Sequence, residues 1–480
     1  MRDLREFLAA IDDRGQLTDV SGAALDREVG GLSKIARRDG LETALLFEDF
    51  ADADTDARLV TNVLDTPMQV ALALGYEPTN EIRDVVRAHK EKVATIETRP
   101  VERVTDAPIL DNVDRDAAID LTRFPAPLWH EGDGGRYIGT GDLVVTRHAE
   151  SGELNAGTYR VQVQGPSTAT IKMEPGHDGA ANRRSYLERE EPFPIAVSLG
   201  QQPDLFMAAN ERFPPSVNEL EYVSAHREEP LEVVEGEVTG LPVPARSEVV
   251  LEGHVYPDEA PVDEGPFGEW TGYYGSGGRE ELPFTIERLY YRDDPIVHGY
   301  NNVPVVASAN SKTRSASKLW NGLEEAGVPG IEEVNTILPG VVFQVVSIEQ
   351  QYPGHSTQVG MQAISLPSGV WEGRFTVIVD DDIDAYDRDE ILWAITSRCD
   401  PDEDVQIVTD CVSSHLNPRM PPAQKEAGDL TNSRAVLDAT RPYEWRDEFP
   451  EDTKIDPDFE VELREKFAAT VFGDSPAENR

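Results

Sequence analysis

Two α/β regions flanking a β-rich middle are the architecture this chain predicts, and three changes of texture predict it. Up to about residue 110 helical and strand patterns alternate. From Leu143 to Val297 short β-rich runs follow one another between turn signals, and beyond residue 310 the helix–strand alternation returns. The expected division is residues 1–112, 113–310 and 311–480.

The first region opens with Leu4, Phe7, Leu8 and Ile11 at i, i+3, i+4 and i+7, an amphipathic helix ended by Arg14-Gly15. Ile35-Ala36-Arg37-Arg38 closes a second helix, Ala44-Leu45-Leu46-Phe47 and Arg58-Leu59-Val60-Thr61 read as short strands, and Met68 to Leu74 as a third helix. The middle region supplies Leu143-Val144-Val145-Thr146, Thr158 to Val163, Ala169 to Met173, Pro194 to Leu199, Glu248 to Glu252 and Phe284-Thr285-Ile286. Turn residues such as Gly165-Pro166-Ser167 separate these runs, which points to a mostly antiparallel barrel or sandwich with helical insertions. Gly132-Asp133-Gly134-Gly135-Arg136-Tyr137 matches neither a Walker loop nor a dinucleotide fingerprint, so no nucleotide site is read from it. In the third region Phe375-Thr376-Val377-Ile378-Val379 is a buried strand ending in Asp380-Asp381-Asp382-Ile383-Asp384, and a helix follows from about Asp387. The aspartate run has two readings, a divalent cation site or a strand end that caps the next helix. A last helix is expected near Val461–Phe472.

The net charge of −46 argues against a nucleic acid or an anionic membrane as partner, since both need a basic surface. Only nine of the 44 basic residues are Lys. A Lys-poor, carboxylate-rich surface suits a cytoplasm of molar salt, where the Debye length shrinks to about 3 Å. Most individual carboxylates therefore serve solvation. No apolar run has transmembrane length and the chain opens directly on helix-forming sequence, so a cytoplasmic protein is expected. Cys399 and Cys411 are too few for a disulfide framework or a thiolate cluster.

Two stretches carry chemistry. In Asp263-Glu264-Gly265-Pro266-Phe267-Gly268-Glu269-Trp270 two carboxylates stand five apart around Gly-Pro-Phe-Gly. Neither helix nor strand explains that spacing, and Pro266 with two glycines excludes both. A bend there aims Glu264 and Glu269 into one space, where like charges raise at least one pKa and make a proton donor usable near neutrality. The alternative is an acidic surface loop. The second stretch is Leu154-Asn155-Ala156-Gly157-Thr158-Tyr159-Arg160-Val161-Gln162-Val163. Arg160 is there either a structural salt-bridge partner or a planar fork that holds a substrate carboxylate. A kink at Ala156-Gly157 would turn Asn155 and Arg160 to the same side.

These segments resemble the UbiD-type decarboxylases, and the likeness extends from Leu4-Arg5-Glu6-Phe7-Leu8 through Gly134 to Tyr137, Asn155 to Gln162, His177-Asp178-Gly179-Ala180, the Glu219 region, Pro244 to Gly253, Glu264 to Glu269, Val379 to Asp384 and Leu437 to Pro442. The resemblance implies a central split β-barrel (flavin-reductase-like) that binds prenylated FMN, a cofactor supplied by a flavin prenyltransferase. It implies reversible decarboxylation of an α,β-unsaturated or aromatic carboxylic acid. The cofactor phosphate would be bound through a divalent metal, Mn2+ in most members, with K+ nearby. Carried over residue by residue, the metal ligands are Asn155, His177 and Glu219, and the catalytic set is Arg160, Glu264 and Glu269. Tyr159 and Val161 stand beside the cofactor with Asn155, Arg160, His177 and Glu219. Glu221 competes with Glu219 for the third ligand. The chain departs from the pattern at Leu416-Asn417-Pro418, where members commonly carry Leu-Asp-Pro, which bears on packing or the substrate end. A homo-oligomer, dimer or hexamer, is expected.

The substrate stays open among trans-anhydromevalonate 5-phosphate, a polyprenyl-hydroxybenzoate and a plain aromatic acid. A phosphorylated substrate would call for Lys312, Arg314 or Lys318 near the site. Two other classes compete with the enzyme: a non-catalytic flavin- or metal-binding barrel, and a structural subunit in which the Glu264–Glu269 loop only shapes an interface.

Overall fold

The structure, a computed structural model, describes residues 1–472 except 212, 214–216, 276, 302, 304–305, 339–342 and 367–373. Its first helix is Leu4–Asp12, capped by Asp3, whose carboxylate accepts from the Glu6 amide. Leu4, Phe7, Leu8 and Ile11 are all buried, as their spacing requires. Helices Glu28–Arg38 and Pro67–Leu74 follow, the latter opened by a capping box between Thr66 and Gln69. Strands Leu17–Ser21, Ala44–Glu48 and Arg58–Thr61 form a small sheet that takes its fourth strand, Ile296–His298, from the far end of the middle region.

The middle region is organised by a nine-stranded sheet in which every pairing is antiparallel. Its path runs Tyr137–Gly139, Val161–Gly165, Thr168–Ile171, Phe284–Tyr291, Val249–Val255, Phe193–Leu199, Leu143–Arg147, Leu154–Gly157, and Asn112–Arg115 also pairs with Phe284–Tyr291. Leu154–Gly157 lies at one end of that path and Val161–Gly165 beside the other, yet only residues 158–160 separate them in sequence. A chain spans at most about 3.5 Å per residue, so the sheet has to curl until its two edges nearly meet. The result is a half-barrel inside a mixed α/β fold. The run expected as one strand over Thr158–Val163 is thus broken, its first three residues forming the crossing from edge to edge. The Tyr159 ring occupies the space over Gly157 and Gly179, where a Cβ would stand 2.7 and 2.6 Å from ring and hydroxyl atoms.

The third region is a five-stranded mixed sheet in the order Ile331–Thr336, Phe343–Ile348, Phe375–Asp380, Thr431–Ala439, Val405–Val412. The aspartate run follows its central strand. Asp380 accepts from Arg398 and Arg441, Asp382 from Arg398, and Asp384 from the Tyr386 amide, while the next helix, Arg388–Arg398, is capped by Asp387. Arginines and amides engage Asp380, Asp382 and Asp384, which favours the strand-end reading over the cation site. The last α-helix begins earlier than expected, at Pro457–Phe467, because the Asp456 side chain caps it by accepting from the Phe459 amide. Among the described residues no helix is long and apolar enough to cross a membrane.

Candidate active site

Arg160 leaves the crossing at residues 158–160 and meets both carboxylates of the distant loop. It donates from Nε and Nη2 to the two oxygens of Glu264, at 2.7 and 2.9 Å, and from Nη1 to Glu269 Oε1 at 2.6 Å. The Glu264 side chain is fully buried, and those of Arg160 and Glu269 are 9% and 13% exposed. The ring of Phe267 lies 5.3 Å from the guanidinium carbon. Paired carboxylates and burial act on Arg160 in opposite directions, and the carboxylates win, so the guanidinium stays charged.

The bend is fastened from behind by the segment that holds Gly134 and Tyr137. Gly134 N donates to Pro266 O (2.7 Å), Gly265 N donates to Gln162 Oε1 (2.9 Å), and the Tyr137 hydroxyl donates to Glu264 Oε1 (3.2 Å). The backbones approach so closely that a Cβ on Gly134 would stand 1.8 Å from the Gly265 carbonyl oxygen. Gly265 has φ +76°, open to glycine but strained for other residues. Burial and the neighbouring Glu264 charge push the Tyr137 hydroxyl far above its ordinary range, so it remains a donor.

At the other end of the crossing a second group collects in a cavity of about 320 Å3 lined by Asn155, Thr158, Tyr159, His177, Asp178, Asn210 and Glu219, among others. His177 is the N-cap of helix Asp178–Leu187, and Glu219 is the first residue of helix Glu219–Arg227. Two helix N-termini therefore face this cavity, an arrangement that favours anions. Glu219 accepts from the Ala156 amide (2.9 Å) and from Asn155 Nδ2 (3.2 Å). The Tyr159 hydroxyl donates to Asn155 Oδ1 (3.1 Å) and accepts from the Gly179 amide (3.1 Å). Burial lifts the Glu219 carboxyl from its usual range to about 7, and the negative Asp178 adds to the lift. An amide oxygen, an imidazole and a carboxylate are hard to borderline donors that fit a divalent cation. Among the described residues no group of three or more His, Cys, Asp or Glu side chains is arranged to hold a metal, and the amide ligand of the Asn-His-Glu set puts it outside that description. A second cavity of about 270 Å3 shares Thr158 and Asn210 with the first and reaches Trp270, the neighbour of Glu269.

Three family models match the chain: the 3-octaprenyl-4-hydroxybenzoate carboxy-lyase N-terminal domain over residues 8–89, the Rift-related domain over 102–304 and the C-terminal domain over 312–439. The chain belongs to the UbiD family. It is thus a member of a family of carboxy-lyases. It is 30% identical to a phenolic acid decarboxylase of Streptomyces sp. (strain D7) over 453 residues, 92% of either chain. With that of Bacillus subtilis (strain 168) it shares 31% over 452 residues, 92% of this chain and 93% of the other. Among solved structures, vanillic acid decarboxylase of Sedimentibacter hydroxybenzoicus in its open form superposes with TM-score 0.84 at 28% identity, covering 98% and 99% of the two chains. The UbiD-class enzyme HmfF of Pelotomaculum thermopropionicum, in complex with FMN, gives 0.83 at 28% identity, covering 96% and 99%.

Of the residues read from the sequence of this UbiD-family chain, Arg160, Glu264 and Glu269 meet directly, and Asn155, Tyr159, His177 and Glu219 line one cavity. Val161 is not in that lining. It opens the strand Val161–Gly165 with its side chain fully buried in the hydrophobic core. Glu221 lies two residues further into its helix and is not in the lining either. Asn417 accepts from Arg374 (2.6 Å) and donates to Ser413 Oγ (3.1 Å), so the departure at Leu416-Asn417-Pro418 sits in packing. Arg314 lines the second cavity, donates to Asn210 O and faces Glu211 at 3.5 Å, as does Lys318. Sequence reading missed Gln162, Tyr137 and Trp270. Tyr137 and Gln162 close two of the resembling segments and Trp270 follows Glu269, but nothing in those positions named a role for them.

Proposed function

We propose that the chain is a prenylated-FMN-dependent, reversible decarboxylase of an aromatic acid, with a phenolic acid as its substrate class. The observation that carries this reading is the buried guanidinium of Arg160 held between Glu264 and Glu269. Three of its five N–H groups are committed to the carboxylates, which leaves two to receive the carboxylate of a substrate. Glu264, with a bond to each side of the fork, fixes the plane in which that carboxylate lies. Glu269 moves a proton between its carboxyl oxygen and the carbon that loses the carboxyl group. When bound, the prenylated flavin supplies the electron sink for breaking the bond to the departing carboxyl group. The curled sheet is read as the split barrel that houses it, and a flavin prenyltransferase as its supplier. Asn155, His177 and Glu219 would hold a divalent metal, Mn2+ in the first instance, against the flavin phosphate.

The charge around the second cavity favours an aromatic acid over the other candidates. Arg314 is offset by Glu211 and Arg37, the other arginine in the lining, by Asp65, which leaves little for the phosphate of trans-anhydromevalonate 5-phosphate. Thr140, Ser308, Ser311 and Ser315 in the lining suit ring hydroxyls better than a polyprenyl tail. The test is carbon dioxide release from 4-hydroxybenzoate, vanillate and 3,4-dihydroxybenzoate by protein loaded with prenylated FMN and Mn2+ in molar KCl. Turnover of at least one acid is expected. A fully loaded protein that releases none from any of them would overturn the reading.

A further inference from the structure

Beside Arg160 the chain buries a second cation that proton transfer by Glu269 leaves unused. Strands Val161–Gly165 and Thr168–Ile171 pair up to the rung of Val161 and Ile171, and one rung further the Lys172 amide donates to the Arg160 carbonyl at 3.2 Å. Lys172 and Arg160 are thus cross-strand neighbours, with Cβ atoms about 5 Å apart. The Lys172 side chain is 4% exposed. Burial pushes its ammonium below the ordinary lysine range, and the positive charge of Arg160 pushes the same way. Nζ lies 3.0 Å from Glu174 Oε1, yet the described residues offer it no well-directed hydrogen bond. An ammonium has three N–H groups to place, and keeping them from water without acceptors is costly.

Glu174 does not explain the lysine by itself, because it has other counter-ions. Arg279 Nη1 faces Glu174 Oε2 at 3.5 Å. Burial pushes the Glu174 carboxyl up, but Lys172, Arg279 and His415 together hold it below its usual range. Arg279 also pairs with Glu281 Oε1 at 2.5 Å, and Arg183 donates to Glu281 Oε2 at 2.8 Å. Across the paired strands Val262–Glu264 and Arg279–Glu281, Arg279 stands opposite Glu264. The carboxylates beside the site therefore have arginines of their own. Lys172 is left as a donor next to the fork that receives the substrate carboxylate.

We propose that Lys172 is a specificity-determining residue that donates to a ring oxygen of the acid whose carboxylate Arg160 holds, so that the substrate is a hydroxylated aromatic acid and not an unsubstituted one. This rests on the reading of Arg160 as the holder of the substrate carboxylate. A hydroxyl side chain both donates and accepts, whereas an ammonium only donates. Lys172 therefore selects a substituent with a lone pair over a bare ring position. An acid without a ring oxygen leaves the ammonium unmet, and a site built to hydrogen-bond a substrate oxygen rejects the analogue that lacks it.

The test measures Kd for benzoate and for 2-, 3- and 4-hydroxybenzoate by calorimetry, with wild type and Lys172→Met carrying Mn2+ and FMN, so that binding is read apart from turnover. In the wild type at least one hydroxybenzoate is expected to bind about tenfold or more tighter than benzoate, the scale of one hydrogen bond to a charged group. In Lys172→Met that preference should shrink to about threefold or less, with Kd for benzoate within a factor of about three and flavin content unchanged. A wild type without the preference would overturn the proposal. So would a preference that survives in Lys172→Met, or an equal loss for all four acids. If Lys172→Met does not fold, the absorbance of a nitro derivative of the preferred isomer decides on the wild type. Its bound phenol should titrate about one unit or more below its value in water, since a neighbouring cation favours the phenolate, and an unshifted titration would overturn the proposal. If the loaded wild type releases carbon dioxide from no acid, the decarboxylase reading fails by itself, and the Kd ratios still decide the role of Lys172.

Discussion

The two ends of the crossing at residues 158–160 bury charge in opposite ways. At the Arg160 end the chain supplies both signs, one guanidinium against two carboxylates, with Tyr137 and Gln162 bracing the arrangement. At the Asn155 end it supplies a buried carboxylate, an amide and an imidazole, with Asp178 adding negative charge. The first end is complete and preorganised as a protein structure. The second sets an amide, an imidazole and a carboxylate beside two helix N-termini. On the proposed reading a substrate carboxylate would dock at the first without rearrangement, and a metal with the flavin phosphate would finish the second.

Substitution at the first end gives the largest expected effect. Arg160→Lys replaces a planar fork with a point charge, and turnover should fall about a hundredfold or more while flavin content holds. Wild-type rates would remove Arg160 from the site. Next, Glu219→Gln should lower the occupancy of flavin and metal at least about tenfold and leave the Arg160 end intact. One flavin per chain in that variant would contradict the cation reading.

A smaller effect separates the two ends by pH. The folded Glu219 carboxyl titrates near 7, above its ordinary 4.5. A raised carboxyl stabilises the fold while protonated, so its contribution is complete below the ordinary value and is lost as pH rises through about 7. At about 1.4 kcal/mol per unit the loss is on the order of 3 kcal/mol. Metal-free protein should melt at lower temperature at pH 8 than at pH 6, and Mn2+ should remove the difference. Equal melting at both values, without metal, would refute it. Smallest at the sites themselves is the effect of salt. We propose that the charge of −46 reflects adaptation to molar salt. Dilution should lower the melting temperature through surface repulsion, and unchanged melting would refute that reading.

Much of this was legible in the chain because it is local. Leu4, Phe7, Leu8 and Ile11 announce their helix by spacing alone, and Phe375 to Val379 announce a strand that is buried from Thr376 on, with Phe375 exposed at its start. The pairing of Arg160 with Glu264 and Glu269 became readable through family resemblance, since residues more than a hundred positions apart share no periodicity. An irregularity at Ala156-Gly157 was expected, but the length of the break was not, because residues 158–163 have strand-like composition and only sheet closure takes the first three out of the ladder. Strand Ile296–His298 pairs with Arg58–Thr61, a partner that no local signal names. The interlock of Gly134 with Gly265 and Pro266 was equally silent. Its glycines were visible, but what they make room for is a backbone about 130 residues away.

The central claim is that a carboxylate leaves and a proton arrives beside Arg160, Glu264 and Glu269. Its most direct test is deuterium exchange at the ring carbon of the decarboxylated product, followed by NMR in D2O with loaded wild type and Glu269→Gln. The account predicts exchange by the wild type and a loss of about a hundredfold or more in the variant, with flavin content equal in both. Exchange at the wild-type rate by Glu269→Gln would contradict it.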